Sequence, residues 1–290
     1  MAGSREAGVG QASNACLFLL FRPGMRPGSD AISQVVAQSG CGIVSHDPRQ
    51  AFSPEGIDDS WLELLVDGLT FDVLGLSPLE GVHCPGLRHD FGIAPDEIGP
   101  CEAIVIAPGP HLSGAANAIP VIRTMMGMAS TLLEGTEGAV GVVWQPSASA
   151  IGKELFGKMI GQWLEGGPFP ALGLTGVTMT EDGGLASDGL AFFTGQEIEI
   201  DAALSSAQPQ ATRLAVRLID HLVNQDKIEH EEMILGPGKT RLRLSPMAGG
   251  RILRVSAMEG DVPGGALRGI DTDSRASALP GGEPPRWTGP

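Results

Sequence analysis

Short apolar segments rich in β-branched residues constrain this fold more than any other feature of the sequence. "CEAIVIAPG" (101–109) and "AVGVVW" (139–144) are each too short for an ordinary helix. Strands that read as continuous apolar runs are covered on both faces of their sheet. We therefore expect both segments to be inner strands.

Helices and hairpins are predicted around these strands. "IPVIRTMMGMASTLLEG" (119–135) is almost wholly apolar and indicates an enclosed helix, whereas residues 210–225 repeat apolar side chains with the helical period. Asp-Gly pairs at 67–68 and 182–183 favour tight hairpins. This mixture predicts an α+β protein with a mixed, largely antiparallel sheet and packed helices, either as one body or as two fused α/β-sandwich lobes. A doubly wound α/β fold is the alternative.

Composition predicts where the folded core begins and ends in this 290-residue chain. Residues 1–14 are small and polar, and residues 257–290 are rich in Gly, Pro, Ser and Asp without an apolar period. Such segments lack the apolar surface that offsets ordering entropy, so both are predicted to be disordered tails. The core is predicted to span residues 15–256, with 15–100 and 101–256 as its two lobes if it divides.

Charge and aromatic content exclude several classes of partner. The 34 acidic and 19 basic residues give a net charge of -15, which repels nucleic acids and anionic membranes. Tyr is absent and aromatic residues make up 4% of the chain, so a base-stacking platform is not expected. Because no signal-peptide pattern and no apolar run of roughly 20 residues is present, we expect a cytoplasmic protein with reduced cysteines.

Three motifs of known chemistry are incomplete in this sequence. "GPGKT" (236–240) resembles the end of a phosphate-binding loop, but the upstream glycine is missing and an alternating strand follows, which favours a hairpin turn. No G-x-S-x-G elbow is present to activate a serine. His83, Cys84, His89 and Cys101 lack the paired spacing of a zinc site, so no metal and no cofactor are expected. The His89-Asp90 dipeptide is interpreted as part of a solvated loop.

The loop between the strand at 101–109 and the apolar helix is the candidate ligand site. Such loops commonly present backbone N–H groups to anions. The candidate binding residues come from this loop, from the helix after it and from the end of the next strand: His111, Ser113, Gly114, Asn117, Arg123 and Ser149. Asn117 is also predicted to cap the helix. An unpaired buried charge is costly, so Arg123 must pair either with a buried carboxylate or with an anionic ligand.

Three phrases resemble a known bacterial family. "PGPHLSGAANAIPVIRTM", "AVGVVWQPSASAIG" and "FPALGLTGVTM...GLAFFTGQEIEI" are similar to the family called domain of unknown function 4261, and the resemblance covers about residues 101–200. It implies a compact bacterial domain. It supplies no reaction, cofactor or catalytic residue.

Two hypotheses about function follow from the sequence. The first is a non-enzymatic cytoplasmic module that binds a partner protein or a small ligand, such as an anion, because no complete catalytic constellation accompanies the well-patterned core. The alternative is an enzyme that acts on a small anionic substrate in a pocket formed by the loop at 108–117 and Arg123. The sequence predicts no oligomeric state.

Overall fold

Two mixed sheets with helices packed against them make up the protein. The computed structural model describes residues 15–48, 61–205, 208–258 and 268–270. Most of the strand pairs in these residues are antiparallel, so the predicted α+β class is confirmed and the doubly wound alternative is not adopted. No helix in the described part of the chain has the length and apolar character needed to cross a bilayer.

The first sheet has eight strands. They are β1 (Leu17–Phe21), β2 (Ile43–His46), β3 (Trp61–Val66), β4 (Leu69–Leu74), β5 (His89–Phe91), β6 (Glu102–Pro108), β7 (Ala139–Trp144) and β8 (Ser149–Gly152). Their order is β2-β3-β4-β6-β1-β7-β8-β5, and only β5 and β8 within this sheet pair in parallel, as the described residues show. β6 and β7 flank β1 on either side, which confirms both predicted inner strands.

The second sheet follows later in the chain. Its strands are β9 (Gly176–Met179), β10 (Leu185–Asp188), β11 (Glu197–Ile200), β12 (Glu232–Leu235), β13 (Arg241–Met247), β14 (Ile252–Ala257) and β15 (Arg268–Gly269). Their order is β15-β12-β13-β14-β11-β10-β9. Both predicted hairpins form, one between β3 and β4 and one between β9 and β10. At the first, Asp67 and Gly68 adopt the positive φ angles, 50° and 79°, that a tight hairpin requires.

Helices lie along both sheets. They are α1 (Ser29–Ser39), α2 (Pro95–Ile98), α3 (Ile119–Gly135), α4 (Lys153–Leu164), α5 (Ala171–Leu174), α6 (Leu190–Thr194) and α7 (Gln208–Leu222). α3 buries an apolar face that includes Ile122, Met125 and Leu132, so the prediction of an enclosed helix is confirmed. It packs against α1, α4 and the strands β6 and β7.

One continuous apolar core connects the two sheets. Trp144 and Ile151 of the first sheet belong to the same buried cluster as Leu185 and Ile198 of the second. Strands from both sides of residue 100 belong to the first sheet, because β6 lies between β4 and β1. The chain passes from the first sheet to the second between β8 and β9.

Aromatic rings fill the junction between the sheets. Trp144 is fully buried, and its indole N–H donates to the carbonyl of Leu174 at 3.0 Å. Its ring meets Phe192 of α6 edge to face at a centroid distance of 5.4 Å. Phe193 then contacts Phe169 at 5.0 Å. These contacts hold α5 and α6, and with them β9 and β10, against β7.

The core also extends beyond the predicted boundary at residue 256. Ala257 still belongs to β14, and Arg268–Gly269 pairs in parallel with β12. Ile270 is 5% exposed and packs in the main core. The sequence pattern missed this element because a two-residue strand has no period to recognise. Residues 1–14, 259–267 and 271–290 of the two predicted tails lie outside the described residues.

Replacing Ile270 with Ala tests whether this short element is part of the fold. We expect the free energy of unfolding to fall by about 2–4 kcal/mol, because the substitution leaves a cavity in the core. Chemical denaturation measures the change. Ile43, which is 60% exposed on β2, provides the matched control, and its change to Ala is expected to cost less than about 0.5 kcal/mol. Equal effects of the two substitutions would contradict the placement of Ile270.

Candidate functional site

The predicted ligand loop lies on the surface next to α6. His111, Ser113 and Gly114 are exposed, in and after a short 3-10 turn at Pro110–Leu112. Asn117 does not cap α3, as the sequence had suggested. The helix begins at Ile119 with Ala118 as its cap, and no side chain bonds its N-terminus. The amide of Asn117 instead donates to the carbonyl of Phe192 at 3.1 Å, and so attaches the loop to α6.

Arg123 has a different kind of partner from the two that the sequence suggested. Its guanidinium donates to the carbonyl of Trp163 at 2.9 Å and to that of Leu164 at 3.1 Å. These carbonyls close α4, where the helix dipole favours a cation. The guanidinium carbon also lies 4.9 Å from the centre of the Trp163 ring. The charge of Arg123 is therefore satisfied within the protein, by main-chain oxygens rather than by a carboxylate or a ligand.

Ser149 lies apart from the loop, in the buried start of β8. Its hydroxyl forms a hydrogen bond of 2.7 Å with the hydroxyl of Ser147, and both residues are almost fully buried. In the parallel pairing of β5 and β8, Ser149 is the direct neighbour of His89. None of the six predicted residues lines either of two surface cavities, one bordered by His89 and Leu172 and the other by Ile228 and Met247. Ligand binding by those residues thus stays a prediction, without a cavity from the structure to support it.

A polar cluster at the junction of the two sheets is the better candidate. His89 of β5 places Nε2 3.1 Å from a carboxylate oxygen of Asp188, at the end of β10. Arg88 donates to the other oxygen of the same carboxylate at 2.8 Å. The hydroxyl of Thr178 on β9 also donates to Asp188, at 3.1 Å. Two edge strands from different sheets, β5 and β9, are joined in this way through one carboxylate.

Gly176 makes this approach possible. A Cβ atom at this position would lie 2.0 Å from Nε2 of His89, so any larger residue would displace the imidazole. Gly176 is the partner of Asp188 in the β9–β10 ladder, which brings the carboxylate to the same place. The glycine thus permits the contact between His89 and Asp188.

The half-buried carboxylate of Glu197 fixes the turn that follows Asp188. The N–H groups of Gly189 and Ala191 donate to its Oε1 at 2.9 and 3.0 Å, and that of Leu190 donates to Oε2 at 3.1 Å. The hydroxyl of Ser187 donates to it as well. Desolvation by burial raises the pKa of Glu197 above its ordinary value, and these four hydrogen bonds reduce the rise without reversing it.

A cavity of about 420 Å³ opens beside the cluster. Arg88, His89, Asp90 and Thr212 supply its polar lining. Its apolar lining comes from both sheets and from α5: Phe91, Leu172, Val177, Met179 and Leu185. Ligand pockets are commonly of this size, with apolar walls and a few polar groups that orient the ligand. The cavity can therefore accept a small molecule or a few side chains.

The residues considered for zinc do not form a metal site in the structure. Among the described residues, no group of three or more His, Cys, Asp or Glu side chains is arranged to hold a metal ion. Burial, together with a smaller effect of the neighbouring Cys101, raises the pKa of Cys84 to about 11. Burial also raises the pKa of Cys101. A thiol must lose its proton to bind a metal, so both shifts oppose metal binding.

Only part of this site could be predicted from the sequence. His89 and Asp90 were noticed in the sequence, but they were interpreted as part of a solvated loop. His89 and Asp188 are 99 positions apart, so no spacing pattern links them. Glu197 was missed because it alternates with Ile198 and Ile200 in a strand, where a polar residue normally faces water.

Comparison with known proteins identifies no family for this α+β protein. No protein-family model, no curated protein and no solved structure matches the chain. Membership of the family called domain of unknown function 4261 stays a prediction from the sequence.

Replacement of Arg123 with Met tests its structural role. We expect the free energy of unfolding to fall by about 1–3 kcal/mol, because two charge-assisted hydrogen bonds and the contact with Trp163 are lost. Arg123→Lys should recover only part of the loss, since an ammonium group does not match the two carbonyls as a planar fork does. Lys158→Met on the exposed side of α4 is the control. If denaturation curves of R123M and wild type coincide, the guanidinium is not structural.

Replacement of Glu197 with Ala tests the turn after Asp188. The variant leaves three backbone N–H groups and one hydroxyl without their acceptor, so we expect a loss of about 2–4 kcal/mol. Glu199→Ala, at an exposed position of the same strand, should change stability by less than about 0.5 kcal/mol.

The pH dependence of this loss has a defined sign. The pKa of Glu197 rises on folding. At pH values just above its ordinary pKa of 4.5, the folded protein therefore binds more protons than the unfolded chain. The stability linked to this proton is complete below that value and is lost as the pH rises through the raised pKa. E197A should therefore be more destabilising near pH 4.5 than at pH 7. A loss that grows toward neutral pH would contradict the raised pKa.

Proposed function

We propose that this protein is a non-enzymatic, cytoplasmic binding module whose ligand occupies the cavity beside His89. The ligand has an apolar body and a carboxylate. The observation that carries the proposal is the composition of the cavity lining, which combines apolar side chains from both sheets with polar residues, among them the exposed cation of Arg88. Bacterial origin follows only from the family resemblance and is part of the same proposal.

Arg88 is suited to bind an anionic group. One of its nitrogens donates to Asp188, and its side chain is 68% exposed, so the other donors of the guanidinium can reach a ligand. The imidazole of His89, only 12% exposed, is held in place by Asp188 and stacks on Phe91 at a centroid distance of 6.3 Å. A fixed ring and an adjacent flexible cation can orient a carboxylate at the rim while the apolar body fills the cavity.

The absence of an activated nucleophile supports a binding role over a catalytic one. Within the described part of the chain, no hydroxyl or thiol forms a hydrogen bond with the ring of His89. The hydroxyl of Thr178 donates to Asp188 and not to the imidazole. Nucleophilic catalysis needs the nucleophile and its base within hydrogen-bond reach.

The alternative function, an enzyme acting on a small anionic substrate near loop 108–117, has less support. It depended on a guanidinium at Arg123 that needed an anionic partner, and the carbonyls at the end of α4 already satisfy this group. Asn117 is likewise engaged with Phe192.

A fluorescent apolar carboxylate tests the proposed function. Dansyl-leucine should bind saturably to the wild-type protein, as followed by its fluorescence. Leu172→Asp places a charge in the apolar lining and should weaken binding at least about tenfold, and Arg88→Ala should weaken it by about 10- to 100-fold. Dansyl-leucinamide, which lacks the carboxylate, should bind weakly to both wild type and R88A.

Leu79→Asp is the matched control, because Leu79 is 45% exposed and lies outside the cavity lining. It should bind the dye within about twofold of wild type, a difference of about 0.4 kcal/mol. The proposal fails if binding to wild type does not saturate, or if L172D and L79D bind the dye equally well.

A further inference from the structure

The free edge of β9 borders the cavity and leaves main-chain groups unpaired. The N–H of Thr180 donates to the carbonyl of Gly184 at 3.0 Å, which sets the alternation of the β9–β10 ladder. The backbone N–H and C=O groups of Thr178 therefore point toward β10, whereas those of Val177 and Met179 point away from it. In the described residues no hydrogen-bond partner lies on that side, because β9 is the last strand of its sheet.

The composition of β9 leaves this edge open to pairing. Its sequence, Gly176–Met179, contains no charged residue and no proline, and its pairing with β10 has no bulge. Met179 is 53% exposed. Proteins usually protect sheet edges with charged residues, prolines or bulges, because unpaired N–H and C=O groups are a template for another strand.

The cavity would receive side chains from a strand added at this edge. The unpaired N–H and C=O groups of Val177 and Met179 lie on the edge. The same two residues line the cavity. Alternate side chains of an added strand point to the same face of the sheet as these two residues. Leu172 and Phe91 also line the cavity and can contact those side chains.

The charges at the two ends of β9 define a direction for the added strand. Glu181 and the exposed Asp182 follow Met179 at the hairpin, while Arg88 and His89 lie beside Gly176 at the other end. A strand added in the more common antiparallel direction starts beside Met179 and ends beside Gly176. Its C-terminal end then reaches the cationic group of Arg88, which matches a carboxylate.

We infer that β9 is a docking edge for the extended C-terminal segment of a partner protein, which has apolar side chains at alternate positions and a free terminal carboxylate near Arg88. This inference rests on the proposed function and identifies the ligand class of the same cavity. Main-chain hydrogen bonds to Val177 and Met179 supply affinity, and the cavity supplies selectivity for the apolar side chains.

Selection from random heptapeptides with free carboxyl termini tests the inference. Peptides enriched on the wild-type protein should carry apolar residues at alternate positions, and one is then synthesised with a fluorescent label for affinity measurement. Val177→Pro removes a donor from the edge and should weaken binding at least about tenfold. Amidation of the peptide terminus should weaken binding to wild type and have little further effect on R88A.

N-methylation of the peptide tests the edge without changing the protein, in case V177P fails to fold. Methyl groups at the residues that face β9 should abolish binding, whereas methyl groups at the intervening residues, whose N–H groups point away, should be tolerated. The inference is overturned if no peptide is enriched, if every methylated peptide binds equally well, or if V177P retains full affinity while folded. Saturable binding of dansyl-leucine that depends on Leu172 would persist in those cases, so the proposed function is judged separately.

Discussion

The burial of Trp144 between the two sheets is the contact on which the rest of this structure depends. A tryptophan can be fully buried only where its N–H finds an acceptor, and the carbonyl of Leu174 provides one. The ring then fills the space between β7 and Phe192, with Phe193 beside it. Because Leu174 precedes β9 and Phe192 follows β10, this one side chain sets the position of the β9–β10 hairpin relative to the first sheet.

The candidate site is a consequence of that junction. Once the hairpin is held against the first sheet, the edge strands β5 and β9 approach each other without pairing, and Gly176 lets His89 reach Asp188 across the gap. The remaining space between the edges is the cavity. Glu197 accepts main-chain hydrogen bonds from the turn directly after Asp188. It thereby fixes the backbone that carries the Asp188 carboxylate.

The elements of this fold could be predicted from the sequence, but the site could not. Apolar periods and Asp-Gly turns are local, and they correctly placed the inner strands, α3 and both hairpins. Arg123 illustrates the limit. The sequence argument correctly required a partner for its charge, but any residue can supply a carbonyl, so no sequence pattern pointed to Trp163 and Leu164. His89 and Asp188 meet only because of the junction at Trp144, which is a tertiary contact.

The open edge of β9 differs from the other edges of the two sheets. In the described residues, β2 carries a register shift between Val44 and His46, β5 is three residues long and β15 is two. Irregularity and short length are both devices that discourage pairing with another chain. β9 has a regular ladder over four residues and no charge to repel a neighbour. An edge of this kind is a liability for aggregation unless it has a use, and the adjacent cavity with Arg88 at its rim provides one.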